Sequence, residues 1–265
     1  MQPFALRAQK SAMMGSTSCC ERNVTDDLEE LWNRDNFTAK LRAVGERSYH
    51  DRHPFHSQMN DGLLTPPQIR CWVANRFHYQ RHLPMKDAAI IANCPEPDVR
   101  RAWRQRLIDQ DGLNSGEGGI EAWLRLAEAT GLTREETWDA RHVVPGVRAA
   151  VASYVELART RPWPVAVASS LTELFAPDLM ATRVAAFRQH YTWIPTWGLQ
   201  YFDSRITLAR KDSEYGLSTT LARCDTPALQ RAAVEALAEK CRILWAMLDG
   251  IAQACDPRLA ESIDV

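Results

Sequence analysis

The stretch "CWVANRFHYQRHLPMKDA", Cys71 to Ala88, decides how this chain is read. Its apolar residues recur at helical spacing. Arg76, His78, Arg81, His82 and Lys86 all precede its first acid, Asp87, and walking back from Lys86 no Asp or Glu occurs until Asp61. A helix facing water usually interleaves its charges. This one sets cations among Trp72, Val73, Phe77 and Tyr79, so the question is what those cations face.

Outward from this stretch the chain reads as helix after helix, beginning near Asn36. Upstream, "TPPQIRCWVANRF" opens with Thr65 as cap and prolines in the first turn, where a missing N–H costs nothing. Pro84 falls inside the pattern and is expected to kink the helix or end it. Downstream, "EPDVRRAWRQRLIDQ" puts its acids first, where the helix dipole favours them. Gly118 and Gly119 precede "IEAWLRLAEATG", which Gly131 ends as a C-cap. Thr133 with Glu136 makes a capping box, and Pro145, Pro164, Pro195 and Pro227 head or precede further helical patterns. No segment alternates with period two between hairpin turns. The expected fold is all-α: a single compact bundle of about seven helices over residues 25–265.

The totals narrow the function. The chain has 265 residues, a formal charge of −1 and 45% hydrophobic residues. That suits a globular core, and it lacks the basic surplus that bulk attraction to nucleic acid or membrane needs. The seven cysteines show no CxxC spacing and no zinc-finger partners. Scattered core thiols fit a reducing compartment, so a cytoplasmic location is expected. Residues 1–24 are expected to be a disordered extension or to include an upstream start ahead of Met13 or Met14. "MQPFALRAQKSAMMGSTSCC" has no continuous apolar run of the kind a secretory signal requires.

Residues three and four apart share a helix face, which tests each basic side chain. Lys240 has Ala236, Leu237, Ile243 and Leu244 at those spacings; Arg205 has Tyr201, Phe202, Leu208 and Ala209. Arg183 has Leu179, Met180, Ala186 and Phe187. Lys86 has His82, Leu83, Ala89 and Ile90, and Arg76 has Trp72, Val73, Tyr79 and Gln80. None has a carboxylate among these neighbours. Long stems can lie over apolar surface with their heads in water, and Arg70, Arg81 and Arg148 pass the same test. Inward cations on several helices also fit a polar pocket for a small molecule with several negative charges. Tyr49, His50, Tyr154 and Tyr201 could add proton donors and acceptors.

Other chemistries lack their signatures. Asp139 with His142 and Glu46 with His50 have metal-like spacing, but neither repeats on a matching helix. Ser169 and Ser170 lack a nucleophile elbow, and no glycine-rich phosphate loop or dinucleotide fingerprint occurs. "DGLNSGEGGIE" reads as a connection able to close over a pocket.

"YHDRHPFH", "WVANRFHYQ", "KDAAIIANCP", "GGIEAWLRLAEA", "ASSLTELFAP", "YFDSR" and "EKCRILWAMLD" stand in the order and spacing of the pyrroloquinoline-quinone synthase family, which this chain resembles from about residue 36 to 252. Thiaminase-like and heme-oxygenase-like proteins are its helical relations. The resemblance implies a heme-oxygenase-like bundle working as a homodimer. It implies the last step of pyrroloquinoline quinone (PQQ) biosynthesis: ring closure and eight-electron oxidation of 3a-(2-amino-2-carboxyethyl)-4,5-dioxo-hexahydroquinoline-7,9-dicarboxylate by molecular oxygen, without metal or flavin. It further implies that Tyr49, His50, Arg76, Gln80, Lys86, Tyr154, Arg183 and Lys240 bind the tricarboxylated precursor. Tyr201 and Arg205 would handle oxygen together with the residue at position 110.

That position departs from the family pattern. Gln110 and Asn114 stand where the family has two histidines, and Met180 stands where some members have another. Glutamine hydrogen bonds but does not exchange a proton near neutral pH, as imidazole does. Three readings stay open: a working synthase in which His50 or a water moves the proton, a quinone-binding paralogue or carrier, and a variant that binds and stalls. A metal-dependent oxygenase of the same bundle class is the remaining alternative.

Overall fold

A computed structural model describes residues 30–255; the extension expected at 1–24 lies outside the described residues. Local chemistry sets where each helix begins. Proline occupies the first turn of α2 (Pro54–Asn60), α3 (Pro66–Asn93), α4 (Pro97–Asp111), α7 (Pro145–Thr160), α8 (Trp163–Ser169), α9 (Ala176–His190) and α11 (Pro227–Ala254). There its fixed φ suits the helix and its absent N–H leaves nothing unbonded. Side-chain caps do the same work elsewhere. Asn33 accepts from the Asn36 amide at 2.9 Å to open α1 (Arg34–Ser48), and Thr133 with Glu136 boxes the start of α6 (Arg134–Trp138). The bundle is completed by α5 (Gly118–Ala129), followed by Gly131 at φ +91°, and by α10 (Gln200–Arg223).

Among the described residues there are eleven α-helical segments rather than about seven. The difference lies in α2, α6 and α8, none longer than seven residues, which proline and capping residues cut from the longer patterns. One of the two outcomes expected at Pro84 is not found. Pro84 neither ends α3 nor stops it short: the helix continues to Asn93. The Gln80 carbonyl loses its helical donor there, while burial of both flanks against α4 and α7 holds the two halves in one element.

Residues 31–255 lie in one unit, and α3 and α11 are its long central helices, each packed on α7. Aromatic rings fill the space between α3, α5, α9 and α10: Trp72 lies 5.4 Å from Trp123 and Phe187 lies 5.4 Å from Phe202, centroid to centroid. Each such buried ring stabilises the fold by about 1.5–3 kcal/mol, enough to hold helices whose inner faces also carry charge. Among the described residues no helix is long and apolar enough to cross a membrane.

Candidate functional site

Between the two central helices the aromatic packing gives way to a polar cavity. Tyr49 and His50 enter it from the end of α1 and the 3-10 turn His50–Arg52; Arg76 and Tyr79 come from α3, Tyr154 from α7, and Tyr201 with Arg205 from α10. The free space is about 70 Å³. An adjoining hollow is lined by His50, Arg76, Met180 and Arg183. The helical spacing explains the convergence, because Arg76, Tyr79 and Gln80 share one face of α3, and Tyr201 and Arg205 one face of α10.

The buried cations divide into two groups. In the first, every charge is answered. Lys86 donates to Asp87 at 2.5 Å and to Ser170 Oγ at 3.1 Å. Arg106 donates from Nε to the same Asp87 at 3.2 Å and grips Glu173 with its two terminal nitrogens. Asp212 lies 3.4 Å from Arg106 and 3.7 Å from Arg205, which also approaches Glu173 at 3.8 Å. Three carboxylates thus stand against three cations. Burial alone would raise Asp87 and Glu173, yet their basic partners outweigh it and hold both below the ordinary range. Asp212 carries the remaining cost: burial and the neighbouring Glu173 charge push it up to about 6.

In the second group no carboxylate answers. Lys240, on α11, donates to the Tyr79 hydroxyl at 2.8 Å, with its nitrogen over the Tyr79 and Tyr154 rings. Burial, then Lys86 and Arg76, lower its pKa well below the ordinary lysine value. Arg183 leaves Nε and one terminal nitrogen without a hydrogen-bond partner, lies 5.2 Å over the Trp72 ring, and is lowered by burial to about 10. Arg76 lies 4.1 Å over Tyr79 and likewise leaves a terminal nitrogen unpaired. Unsatisfied buried donors of this kind are costly, and they mark where a ligand's acceptors belong.

His50 stands beside them with Nδ1 unpaired, and burial followed by Arg76 and Arg183 lowers its pKa well below 6.5, so the ring is neutral at pH 7. Burial raises the Tyr49 and Tyr154 phenols well above 10, leaving them protonated. A side-chain relay runs away from the cavity: the Tyr201 hydroxyl donates to Gln80 Oε1 at 2.7 Å, and the Gln80 amide donates to Gln110 Oε1. Gly119 leaves room for it, since a Cβ there would collide with the Gln110 oxygen.

The residues singled out from the sequence therefore gather, but not all face the cavity. Gln80 and Gln110 meet it through Tyr201, Lys86 lies behind Tyr154 and Ser170, and Lys240 reaches it through Tyr79 and Tyr154. Asn114 is exposed and bonds to Glu117, away from the site. Arg81 and Arg148 donate to the carbonyls of Trp138 and Ala140, also outside it. The loop after Gly112 lines an outer groove with Gly116, Glu117 and Arg205, so Arg205 stands between groove and cavity. Tyr79, Arg106, Glu173 and Asp212 belong to the site and were not singled out. Tyr79 alone had a signal, three residues after Arg76 on the same face.

Comparison with known proteins shows the family and the fold. The TENA/THI-4/PQQC family model matches residues 38–250. The pyrroloquinoline-quinone synthase of Cronobacter sakazakii is 52% identical over 226 residues, spanning 85% of this chain and 90% of that protein. The protein of the same name from Klebsiella pneumoniae is 50% identical, spanning 82% and 86%. That from Pseudomonas aeruginosa is 49% identical, spanning 84% and 88%. Among solved structures, a Shewanella denitrificans domain with a heme oxygenase-like fold aligns at a TM-score of 0.70, with 13% identity, covering 88% of this chain and 97% of its own. A TenA homologue from Pseudomonas syringae aligns at 0.64, with 14% identity, covering 83% and 92%. These two likenesses establish a heme-oxygenase-like fold.

Proposed function

The chain belongs to the TENA/THI-4/PQQC family, and on that premise we propose that it is an enzyme of pyrroloquinoline quinone biosynthesis, catalysing the last step. The reaction is ring closure and eight-electron oxidation of 3a-(2-amino-2-carboxyethyl)-4,5-dioxo-hexahydroquinoline-7,9-dicarboxylate by dioxygen. The observation that carries this reading is the charge imbalance. Arg76 on the cavity wall, Arg183 on the adjoining hollow and Lys240 behind Tyr79 and Tyr154 have no carboxylate of their own. Arg205 and Glu173, which also line the cavity, and Lys86 and Arg106 behind it belong to the balanced cluster. A precursor with three carboxylates supplies the missing charges.

The precursor is itself the redox centre, so the protein's work is binding, orientation and proton transfer. Arg76 and Arg183 offer unpaired guanidinium N–H groups to carboxylates. Lys240, held between two tyrosines, takes up a proton as the anion arrives. His50, neutral and with Nδ1 free, accepts a proton from the substrate, and the Tyr49 and Tyr154 hydroxyls donate hydrogen bonds. Tyr201, anchored by Gln80, and Arg205, anchored by Glu173 and Asp212, form the wall where dioxygen is reduced. The 70 Å³ cavity has room for about two waters, so its walls must part for the precursor. In this reading the enzyme is a cytoplasmic homodimer that needs neither metal nor flavin. Among the described residues no group of three or more His, Cys, Asp or Glu is placed to hold a metal ion, so a metal-dependent oxygenase gains no support from the donor set.

Gln110 favours one second reading. It ends the relay from Tyr201 with an amide that cannot exchange a proton near neutral pH, as a quinone carrier or stalled variant could tolerate. One experiment separates the two. The precursor is added in air to purified protein treated with chelator, and product absorbance and oxygen uptake are followed together. The synthase reading expects multiple turnovers with oxygen consumed. Binding without oxygen uptake would favour the carrier, and no binding would overturn both.

A further inference from the structure

Away from the cavity, two free thiols from distant parts of the chain meet. Cys71 lies near the start of α3, and Cys255 is the residue that caps the end of α11. Gln68 fixes their approach: its Nε2 donates to the Cys255 carbonyl at 3.3 Å, and Cys255 Sγ points to the Gln68 carbonyl at 3.8 Å. Gln68 and Cys71 are three apart on one face of α3, so the two contacts that Cys255 makes with Gln68 bring it to the side of the helix that carries Cys71. Asn75, one turn further on, directs its amide at Cys71 Sγ from 3.8 Å.

This arrangement makes the two sulfurs unequal. The neighbouring Cys255 side chain and the Asn75 amide both favour a thiolate at Cys71 and lower its pKa, while the same proximity and burial raise that of Cys255. Cys94, Cys224 and Cys241 are buried, and burial raises all three thiols. Cys71 is also reachable. It is partly exposed on an open groove of about 470 Å³, shared with Arg70, Leu132 and His142. A thiolate-forming, accessible cysteine beside a second thiol is the arrangement that supports reversible oxidation.

We propose that Cys71 and Cys255 are an oxidisable dithiol, a modification site at which hydrogen peroxide forms a reversible disulfide tying the end of α11 to the start of α3. The Cys71 thiolate attacks one peroxide oxygen, the O–O bond breaks, and the departing hydroxide takes up a proton to leave as water. Cys71 is then a sulfenic acid. The Cys255 sulfur attacks the Cys71 sulfur, the S–O bond breaks, and a second water leaves with the Cys255 proton. The two thiols lose two electrons and the peroxide gains two. The link would form little more than one helical turn before Arg76, clamping together the helices that carry Arg76 and Lys240. Dioxygen chemistry of the kind proposed above is one source of peroxide, but the site does not depend on that reading, because peroxide can be added directly.

The test uses the full chain, reduced and then freed of reductant. Iodoacetamide should label Cys71 roughly tenfold or more faster than Cys224. Equimolar hydrogen peroxide should then give a peptide containing Cys71 linked to one containing Cys255, lighter than their sum by two hydrogens and split by dithiothreitol. The oxidised chain should melt at a higher temperature than the reduced one. In C255S, dimedone should trap a sulfenic acid at Cys71; in C71S the linked peptide should vanish. The proposal is overturned if both thiols survive peroxide, if Cys71 pairs with another cysteine, or if wild-type Cys71 passes to sulfinic acid unlinked.

Discussion

The ammonium nitrogen of Lys240 lies 3.1 Å from the centre of the Tyr154 ring, buried, with the Tyr79 hydroxyl as its hydrogen-bond acceptor. Aromatic faces attract a cation but do not neutralise it, so the ligand-free protein bears the cost of this group and lowers its pKa. A carboxylate arriving beside Lys240 raises that pKa again. The complex then holds more protons than the free protein between the two values, and affinity weakens as pH rises through that window. Calorimetry of precursor binding in buffers of different ionisation enthalpy should show net proton uptake, and K240M should abolish it. The same substitution should raise the stability of the ligand-free protein by about 1–3 kcal/mol, since it removes a buried amine whose ionisation burial disfavours. A destabilised K240M that still takes up the proton would contradict this account.

His50 is the neutral imidazole of the cavity, and the glutamine at position 110 offers no substitute. Replacing His50 with asparagine keeps a hydrogen-bonding group of similar size but removes the exchangeable proton. The expected cost is about 10²–10⁴ in kcat with KM nearly unchanged. A base works only while unprotonated, and this one is lowered well below 6.5. The acid limb of the kcat/KM profile should therefore fall below the ordinary histidine range. A limb at or above pH 6.5, or an H50N enzyme with full kcat, would point to another base.

What the sequence disclosed, and what it hid, follows from the range of the contacts. The fold was legible because helix starts are local: proline, threonine and asparagine sit within four residues of the amides they serve. The inward cations were legible for the same reason, as each is flanked by apolar residues on its own helix. Their partners were not. Arg106, Glu173 and Asp212 belong to α4, a 3-10 turn and α10, and only tertiary packing brings them together. Asp87 escaped differently, because it adjoins Lys86 directly and the three-and-four spacing passes over it. The family resemblance pointed to Gln110, but only packing shows it linked to Tyr201 through Gln80.

Asp212 gives the buried cluster a measurable pH signature. Its folded-state pKa, about 6, lies above the ordinary 3.8, so the folded protein binds the proton more tightly than the unfolded chain. Such a group favours folding below the unfolded value, and that contribution is lost as pH rises through the folded one. The loss between pH 4 and 6 should be roughly 2 kcal/mol. Other acids shape the whole curve, so the useful quantity is the difference from D212N, which lacks the titration. Denaturant unfolding of both proteins across this range should show wild type losing ground to D212N as pH rises. Parallel curves would mean that Asp212 titrates normally.

Asp87 is the point through which the balanced half of the cluster is joined. Its Oδ1 accepts from Lys86 at 2.5 Å, from Arg106 at 3.2 Å and from the Trp103 indole at 2.8 Å, all out of contact with solvent. Removing it leaves one buried ammonium without a counter-ion and an indole N–H without an acceptor, while Arg106 keeps Glu173 and Asp212. Stripping one partner from a buried pair costs about 3–5 kcal/mol, more than the pair itself contributes. D87A should therefore lose stability on that scale. D87N, which retains an acceptor for Trp103, should lose less. The double variant D87A/K86M removes the stranded charge and should recover much of the deficit, which denaturant unfolding would measure as a coupling between the two sites. If the double variant is no more stable than D87A, the cost lies in packing around Trp103 rather than in the unpaired ammonium.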